Sequence, residues 1–350
     1  MRFSQIHAAC FDTKDYTRKF LEEANRSPEF GFEISFFESR LTLQSVRMAE
    51  GAEVVCPFVN DDLSAPVIRS LGKMGVRLIA LRCAGINHVD LNTAEKCGIS
   101  VVHVPAYSPA AIAEYTLGLL LTLNRHIHRA FNRVRENNFS ISGFMGFDLR
   151  GKTVGIIGTG KIGLAFARLL QGFGVRILAF DPAPNPAAAQ KLEMDYVPLD
   201  WLFAESDVIS LHCPLTPENV YLIREETIQK MKDGVTLLNT SRGKLVNTSD
   251  LIEGLKSGKI SRAGLDVYEE ESEYFFEDRS DRPIRDDTLA RLTTFPNVIV
   301  SSHQAFFTKE ALENIAQMTL WNIANFFRNE ELAKRENYQK SAYQSLQEVF

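Results

Sequence analysis

The stretch that most limits what this chain can become runs from Lys152 to Gly163. An apolar run, Val154 to Ile157, meets Gly158, Gly160 and Gly163. Apolar residues at helical spacing follow at Ile162, Leu164, Phe166, Leu169 and Leu170. That order predicts a strand, a tight turn and a helix. The glycine spacing has a physical reason. Gly158 permits the turn, Gly160 lets a pyrophosphate approach the backbone, and Gly163 lets the helix pack closely on the strand. The N-terminus of that helix offers N–H groups and the positive end of a helix dipole to phosphates. A second apolar run, Val175 to Phe180, ends in Asp181, 18 residues after Gly163. An acidic residue at that place holds the ribose hydroxyls of adenosine. The stretch therefore predicts a dinucleotide site in an α/β fold.

The rest of the chain fits that frame. Its 350 residues suggest about two domains. Before residue 105, short apolar runs at 34–37, 54–58, 78–82 and 100–104 alternate with helical patterns at 15–25, 43–50, 66–74 and 90–97. Connections this short imply parallel βαβ units. No second glycine fingerprint stands in this half, so it predicts a smaller α/β domain without the nucleotide. Residues 112–123 form a long, mostly apolar helix, which should be buried between larger units. It suits a crossing between domains and equally a dimer interface. Residues 133–150 read as irregular. Strands then follow at 153–158, 175–180, 208–212, 236–239, 263–267 and 298–301, the six of a doubly wound sheet. A helical pattern at 308–327 returns the chain to the first domain. The polar tail, 329–350, reads as a loosely held helix.

Composition removes several classes of function. The net charge is −5 with no basic block, which argues against nucleic acid and anionic membrane as partners. The longest apolar stretch, 115–123, is too short to span a bilayer, and the N-terminus has no signal-peptide core. The five cysteines (10, 56, 83, 97, 213) lack metal-ligand spacing and lie in or beside apolar runs. They read as reduced thiols of a cytoplasmic protein. His7, His88, His103, His126 and His128 form no metal constellation, and no metal is expected.

In a doubly wound sheet, ligands sit outside the carboxyl ends of the strands. The residues standing at those ends are Asp181, His212 with Cys213 and Pro214, Arg242, Asp266 with the acidic run Glu269 to Glu271, and His303. Each has an ordinary reading as a turn, loop or surface residue. Their coincidence at one edge, beside the glycine turn, favours a site. Reduction of a 2-keto acid needs a fixed cation for the carboxylate, and Arg offers a planar bidentate grip. It needs a proton donor with a pKa near neutral, which His supplies. It also needs a carboxylate to orient that imidazole and favour its protonated form.

At these residues the chain resembles the D-specific 2-hydroxyacid dehydrogenases. The segments that carry the likeness are Gly158–Gly163 with Asp181, Leu211–Thr216, Asn239–Val246, Gly264–Glu269 and His303–Phe306. The resemblance implies two Rossmann-like or flavodoxin-like parallel-sheet domains with the active site in the cleft between them. Residues 1–105 with 303–350 would form the substrate domain, and 106–302 the NAD-binding domain. Arg242 would bind the substrate carboxylate, and His303 would be the acid/base. Glu271 would be the partner of His303, with Glu269 and Glu270 close enough to compete for that role. The branch it most resembles is the bacterial fermentative one that interconverts pyruvate and D-lactate. Residues 274–281 match an insertion of that branch, and 82–87 and 106–109 share its pattern. By that likeness Ala84 and Gly85 would hold the substrate carboxylate through backbone N–H groups. Phe58, Tyr107 and Phe306 would wall a small pocket. Lys161, Ile162, His212, Cys213, Pro214, Asn219, Thr240, Ser241 and Asp266 would line the cofactor. Ser241 stands where Gly or Ala is common in the family. A homodimer or homotetramer is implied.

Asp181 is followed by Pro-Ala-Pro-Asn-Pro, with no cation for a 2′-phosphate. Two like charges about 4 Å apart repel by roughly 4 kcal/mol at a surface-like dielectric, so the expected cofactor is NAD. Two rival readings are a dehydrogenase of bulkier 2-keto acids and an NAD-binding regulator of the same fold.

Overall fold

The computed structural model describes residues 5–328. The tail expected to be a loosely held helix lies outside the described residues. The chain divides into two compact units, Met1–Ser108 with Thr308–Phe350, and Pro109–Phe307. His303 and Phe306 thus fall in the second unit.

The first unit runs β1 (His7–Cys10), α1 (Asp15–Asn25), β2 (Glu33–Phe36), β3 (Val54–Cys56), α2 (Ala65–Lys73), β4 (Leu78–Ala80), α3 (Leu91–Lys96) and β5 (Ser100–Val102). Its five strands are parallel, in the order β2-β1-β3-β4-β5. The sequence pattern does not predict β1, because His-Ala-Ala-Cys has no β-branched residue. Its place beside β3 makes it a strand, with Ala8, Ala9 and Cys10 buried. The helix expected at 43–50 shrinks to a 3-10 turn, Val46–Ala49. The Ser45 hydroxyl there donates to the Arg40 carbonyl at 2.6 Å and accepts from the Thr42 N–H at 2.8 Å. Such local bonds compete with helix formation.

The second unit opens with α4 (Pro109–Arg125), α5 (Ile127–Arg135) and β6 (Thr153–Ile157). Then come α6 (Lys161–Leu170), β7 (Arg176–Phe180), α7 (Pro186–Leu192), β8 (Met194–Tyr196) and α8 (Leu199–Glu205). β9 (Val208–Leu211), α9 (Glu225–Gln229), β10 (Val235–Asn239), α10 (Thr248–Ser257), β11 (Ile260–Leu265), α11 (Asp287–Thr293) and β12 (Val298–Val300) complete it. The sheet has seven parallel strands, ordered β12-β11-β10-β9-β6-β7-β8. The seventh, β8, lengthens the expected six; three residues beside a charged turn give little periodicity to read. The stretch 133–150, expected to be irregular, is helical to Arg135, because His126 turns left-handed (φ 52°) and starts α5 afresh. α4 packs inside this unit, its Leu119, Leu120 and Leu123 sharing a core with Phe166 and Leu170 of α6. A final helix, α12 (Lys309–Arg328), returns to the first unit. Its Ala316, Leu320, Ile323 and Phe327 cover Ala8, Val54 and Leu78. Among the described residues, no helix is long and apolar enough to cross a membrane.

Candidate active site

Because the second sheet is parallel throughout, the carboxyl ends of β6, β7, β9, β10, β11 and β12 open onto one edge. The glycine turn follows β6, and its three glycines do three different things. Gly158 has φ +95°, and a Cβ there would lie 2.6 Å from Cys213 N and from His212 C. A Cβ on Gly163 would lie 2.0 Å from the Gly158 carbonyl oxygen, so the start of α6 can approach β6 only without a side chain. A Cβ on Gly160 would meet no atom within 4 Å. Protein packing does not require that glycine, but a pyrophosphate lying on the backbone does. Lys161 and Ile162 open α6, whose first N–H groups have no intrahelical acceptor. The turn therefore fits a dinucleotide.

Asp181, after β7, accepts the Thr159 N–H on Oδ2 at 2.7 Å and the Ala183 N–H on Oδ1 at 2.9 Å. Across the turn, the Ser241 hydroxyl donates to the Cys213 carbonyl, fastening the loop after β10 to the loop after β9. The Thr240 hydroxyl pairs with that of Thr116 in α4 at 2.8 Å. The Asn219 amide donates to the Pro214 carbonyl at 2.8 Å and accepts the Thr216 N–H, which braces residues 214–219. The His212 ring lies 5.2 Å from that of Phe166, and its Nε2 is 2.9 Å from Ser210 Oγ. Its Nδ1 is buried with no partner among the described residues. Burial lowers its pKa to about 3, so this imidazole is neutral. Burial likewise pushes the Cys213 thiol up to about 11, too high for a nucleophile at neutral pH.

Arg242, Glu271 and His303 sit at the ends of β10, β11 and β12. Asn239 holds the Arg242 turn through a 2.9 Å bond to the Arg242 carbonyl. A Cβ on Gly243 would lie 2.1 Å from the Tyr268 carbonyl carbon and oxygen, so this turn is seated directly on the loop that carries Glu271. The acidic run separates into three jobs. Glu269 accepts the Thr248 N–H at 2.6 Å, at the start of α10. Glu270, mostly exposed, pairs with Lys244 at 3.5 Å. Glu271 Oε1 stands 2.7 Å from His303 Nδ1, while its Oε2 accepts the Tyr268 N–H at 2.9 Å.

His303 itself has φ +49°, a strained conformation for a side-chain-bearing residue. Asp266, fully buried, is what over-determines it. Its carbonyl accepts the His303 N–H at 2.7 Å. Its Oδ1 accepts the Ser301 hydroxyl and the Gln304 N–H, and its Oδ2 the Ala305 N–H. The sequence places Asp266 at the cofactor; its carboxylate also shapes the histidine loop. Burial by itself would lower the His303 pKa. The hydrogen bond and charge of Glu271, with the charge of Asp266, outweigh burial and the opposing Arg242, and the net shift is upward. Phe276, from the 274–281 segment, sets its ring 6.0 Å from the imidazole, a neighbour that no sequence signal points to. Phe306 is buried, edge-on to Phe307.

The remaining candidates belong to the first unit. Ala84 and Gly85 follow β4. Their carbonyls are taken by His103 Nδ1 at 3.0 Å and by the Cys83 thiol at 3.3 Å. Phe58 follows β3, its N–H on Asp61 at 2.6 Å and its ring 5.3 Å from the buried Arg82 guanidinium. The Tyr107 carbonyl accepts from Asn314 of α12 at 2.7 Å.

An imidazole poised by a carboxylate, near a guanidinium and on the sheet edge that carries a dinucleotide turn, is the equipment of a nicotinamide-dependent dehydrogenase. Residues 117–305 match the family model described as D-isomer specific 2-hydroxyacid dehydrogenase, NAD binding domain. The chain is 53% identical to the D-lactate dehydrogenase of Escherichia coli K12, over 92% of this chain and 97% of that one. It superposes on the apo structure of the Escherichia coli enzyme with a TM-score of 0.84, at 51% identity over 93% of this chain and 98% of that one. The Aquifex aeolicus D-lactate dehydrogenase complexed with NAD and lactic acid gives a TM-score of 0.82, at 34% identity over 93% and 97% of the two chains. The chain belongs to the D-isomer specific 2-hydroxyacid dehydrogenase family, and its second unit carries the family's NAD-binding domain.

Proposed function

We propose that this chain reduces pyruvate to D-lactate with NADH, reversibly. The observation that carries the proposal is the 2.7 Å His303–Glu271 pair beside Arg242 on the edge of the dinucleotide turn. Held by the glycine turn and Asp181, NADH would supply the hydride for the carbonyl carbon. Arg242 binds the substrate carboxylate and polarises the carbonyl oxygen. Glu271 occupies His303 Nδ1, so Nε2 is the ring nitrogen that gives its proton to that oxygen, and takes it back in the oxidation. Ala84 and Gly85 add N–H groups for the carboxylate, and Phe58, Tyr107 and Phe306 restrict the side chain at C3. Around the cofactor, Gly158, Gly160, Lys161, Ile162 and Gly163 serve the pyrophosphate and Asp181 the ribose. His212, Cys213, Pro214, Asn219, Thr240, Ser241 and Asp266 shape the nicotinamide side. The unit built from both chain ends acts as the substrate domain. The five cysteines, none in a disulfide and three of them buried, support a cytoplasmic setting, and an exposed apolar face on α5 supports a homo-oligomer.

The test is NADH oxidation with pyruvate, 4-methyl-2-oxopentanoate and phenylpyruvate, with the chirality of the product determined. The expected result is D-lactate, with pyruvate preferred by at least tenfold in kcat/KM. L-lactate, or a preference for a bulkier acid, would overturn the assignment. Binding of NADH without turnover on any of the three would favour a regulator.

A further inference from the structure

We propose that Tyr196 is a positioning residue for the adenosine end of the cofactor. Its hydroxyl, linked through Thr159 to Asp181, fixes the carboxylate that selects NAD over NADP. The inference rests on NAD being the cofactor.

Tyr196 closes β8, the edge strand that the sequence pattern does not predict. Its hydroxyl lies 2.7 Å from Thr159 Oγ1 and accepts the Asn185 N–H at 3.1 Å. Thr159 Oγ1 in turn donates to Asp181 Oδ2 at 3.1 Å. The hydrogens in this series have one consistent arrangement. Thr159 spends its only hydroxyl proton on Asp181, so Tyr196 must donate to Thr159. That leaves the phenol oxygen to accept from Asn185. Every proton in this series points towards the carboxylate, so each link orients the next. One phenol thus joins three segments: the glycine turn, the Asp181 side chain and the loop 182–185 that ends at the N-cap of α7.

The consequence for selectivity follows from counting acceptors. Asp181 Oδ2 already takes two donors, Thr159 N–H and Thr159 hydroxyl, while Oδ1 takes one, from Ala183. A carboxylate offers about four acceptor sites. Oδ1 is therefore the oxygen left to accept a ribose hydroxyl, and the chain through Thr159 holds it from turning away. A 2′-phosphate would meet the same immobilised charge, with no cation in 182–187 to offset it. Without the phenol hydroxyl, the Asn185 N–H loses its acceptor. Asp181 and the loop can then swing aside, which weakens NADH binding and relaxes the exclusion of NADPH.

The experiment measures Kd for NADH, NADPH and ADP-ribose by fluorescence or calorimetry on the full chain, with kcat and KM alongside. Tyr196→Phe should raise Kd for NADH and ADP-ribose three- to tenfold. It should narrow the NADH/NADPH ratio by at least threefold, with the loss in KM and not in kcat. In an Asp181→Asn background the same change should leave the ratio where it stands, because the charge it positions is gone. Thr159→Val, which keeps shape and removes the hydroxyl link, should reproduce the narrowing even if the Tyr196 variant fails to fold. A merely structural tyrosine would lower the melting temperature and leave the ratio intact, which would sink the proposal. So would an equal effect in the Asp181→Asn background. Failure of the unsubstituted protein to bind NADH would instead sink the cofactor reading.

Discussion

His303 shows how much of the chemistry rests on one neighbour. Burial is the largest influence on its ring and disfavours the imidazolium, yet the net shift is upward because Glu271 hydrogen-bonds Nδ1 and adds its charge. A raised pKa keeps the proton donor loaded past its ordinary value. Reduction should therefore hold level at low pH and fall only as pH rises through the raised pKa; oxidation should rise over the same interval. Glu271→Gln keeps a hydrogen-bonding group and removes the charge, leaving burial and Arg242 to dominate. The limb for pyruvate reduction should then move to lower pH. At a pH above the pKa of both proteins, the variant's kcat/KM should be lower by about tenfold for each pH interval of one through which the limb has moved. The pH profile of kcat/KM decides this, and an unmoved limb would show that Glu271 does not set the protonation of the ring. The same pair bears on stability with the same sign. A raised histidine pKa stabilises the fold fully below the unfolded value, and that contribution is lost as pH rises through the folded one.

Elements place these residues, and Gly243 is where two elements must touch. The turn after β10 carries Arg242 and the loop after β11 carries Glu271. A Cβ on Gly243 would lie 2.1 Å from Tyr268 backbone atoms. Gly243→Ala must push the two loops apart, at a cost of about 1–3 kcal/mol by analogy with overpacked sites. Since a misplacement of about 1 Å can cost on the order of a hundredfold in rate, kcat/KM should fall far more than affinity for NADH. Steady-state kinetics beside a direct NADH titration tests it, and full activity would show that the loops tolerate separation. Such contacts explain which parts of the molecule are legible in the sequence. Gly158, Asp181, Arg242 and His303 announce themselves because each follows a run rich in aliphatic, mostly β-branched residues: 154–157, 175–180, 236–239 and 298–301. β1 and β8 do not, being three or four residues that become strands only by pairing. Tyr196 is hidden for the same reason: its partners, Thr159 and Asn185, are 37 and 11 residues away. The three glutamates are resolved only by partners distant in sequence, Thr248, Lys244 and His303.

At the scale of the whole molecule, one surface calls for another chain. Six of the twelve exposed large apolar side chains among the described residues lie between Ile127 and Met145. Ile127, Phe131 and Val134 recur at helical spacing on α5, which buries none of its own residues. Phe139, Ile141 and Met145 extend the patch, the last two 87% exposed. The segment is held in shape from within. The Arg133 guanidinium lies 3.6 Å from the centre of the Phe144 ring and donates to the Ser140 and Ser142 carbonyls, with the His126 ring stacked 5.6 Å from Phe144. The six side chains present on the order of 700 Å² of apolar surface, near the ~800 Å² each partner gives to a standard interface. A patch of that size is most simply covered by a second copy of the same chain in a two-fold arrangement. The intact protein should therefore behave as a dimer or larger in light scattering. Because α5 contributes nothing to its own core, Phe131→Asp with Ile141→Asp should leave the fold within about 0.5 kcal/mol. It should also shift the mass to that of one chain, 39.4 kDa. A monomeric unsubstituted protein, or a double variant that keeps its assembled mass, would place the interface elsewhere or remove it.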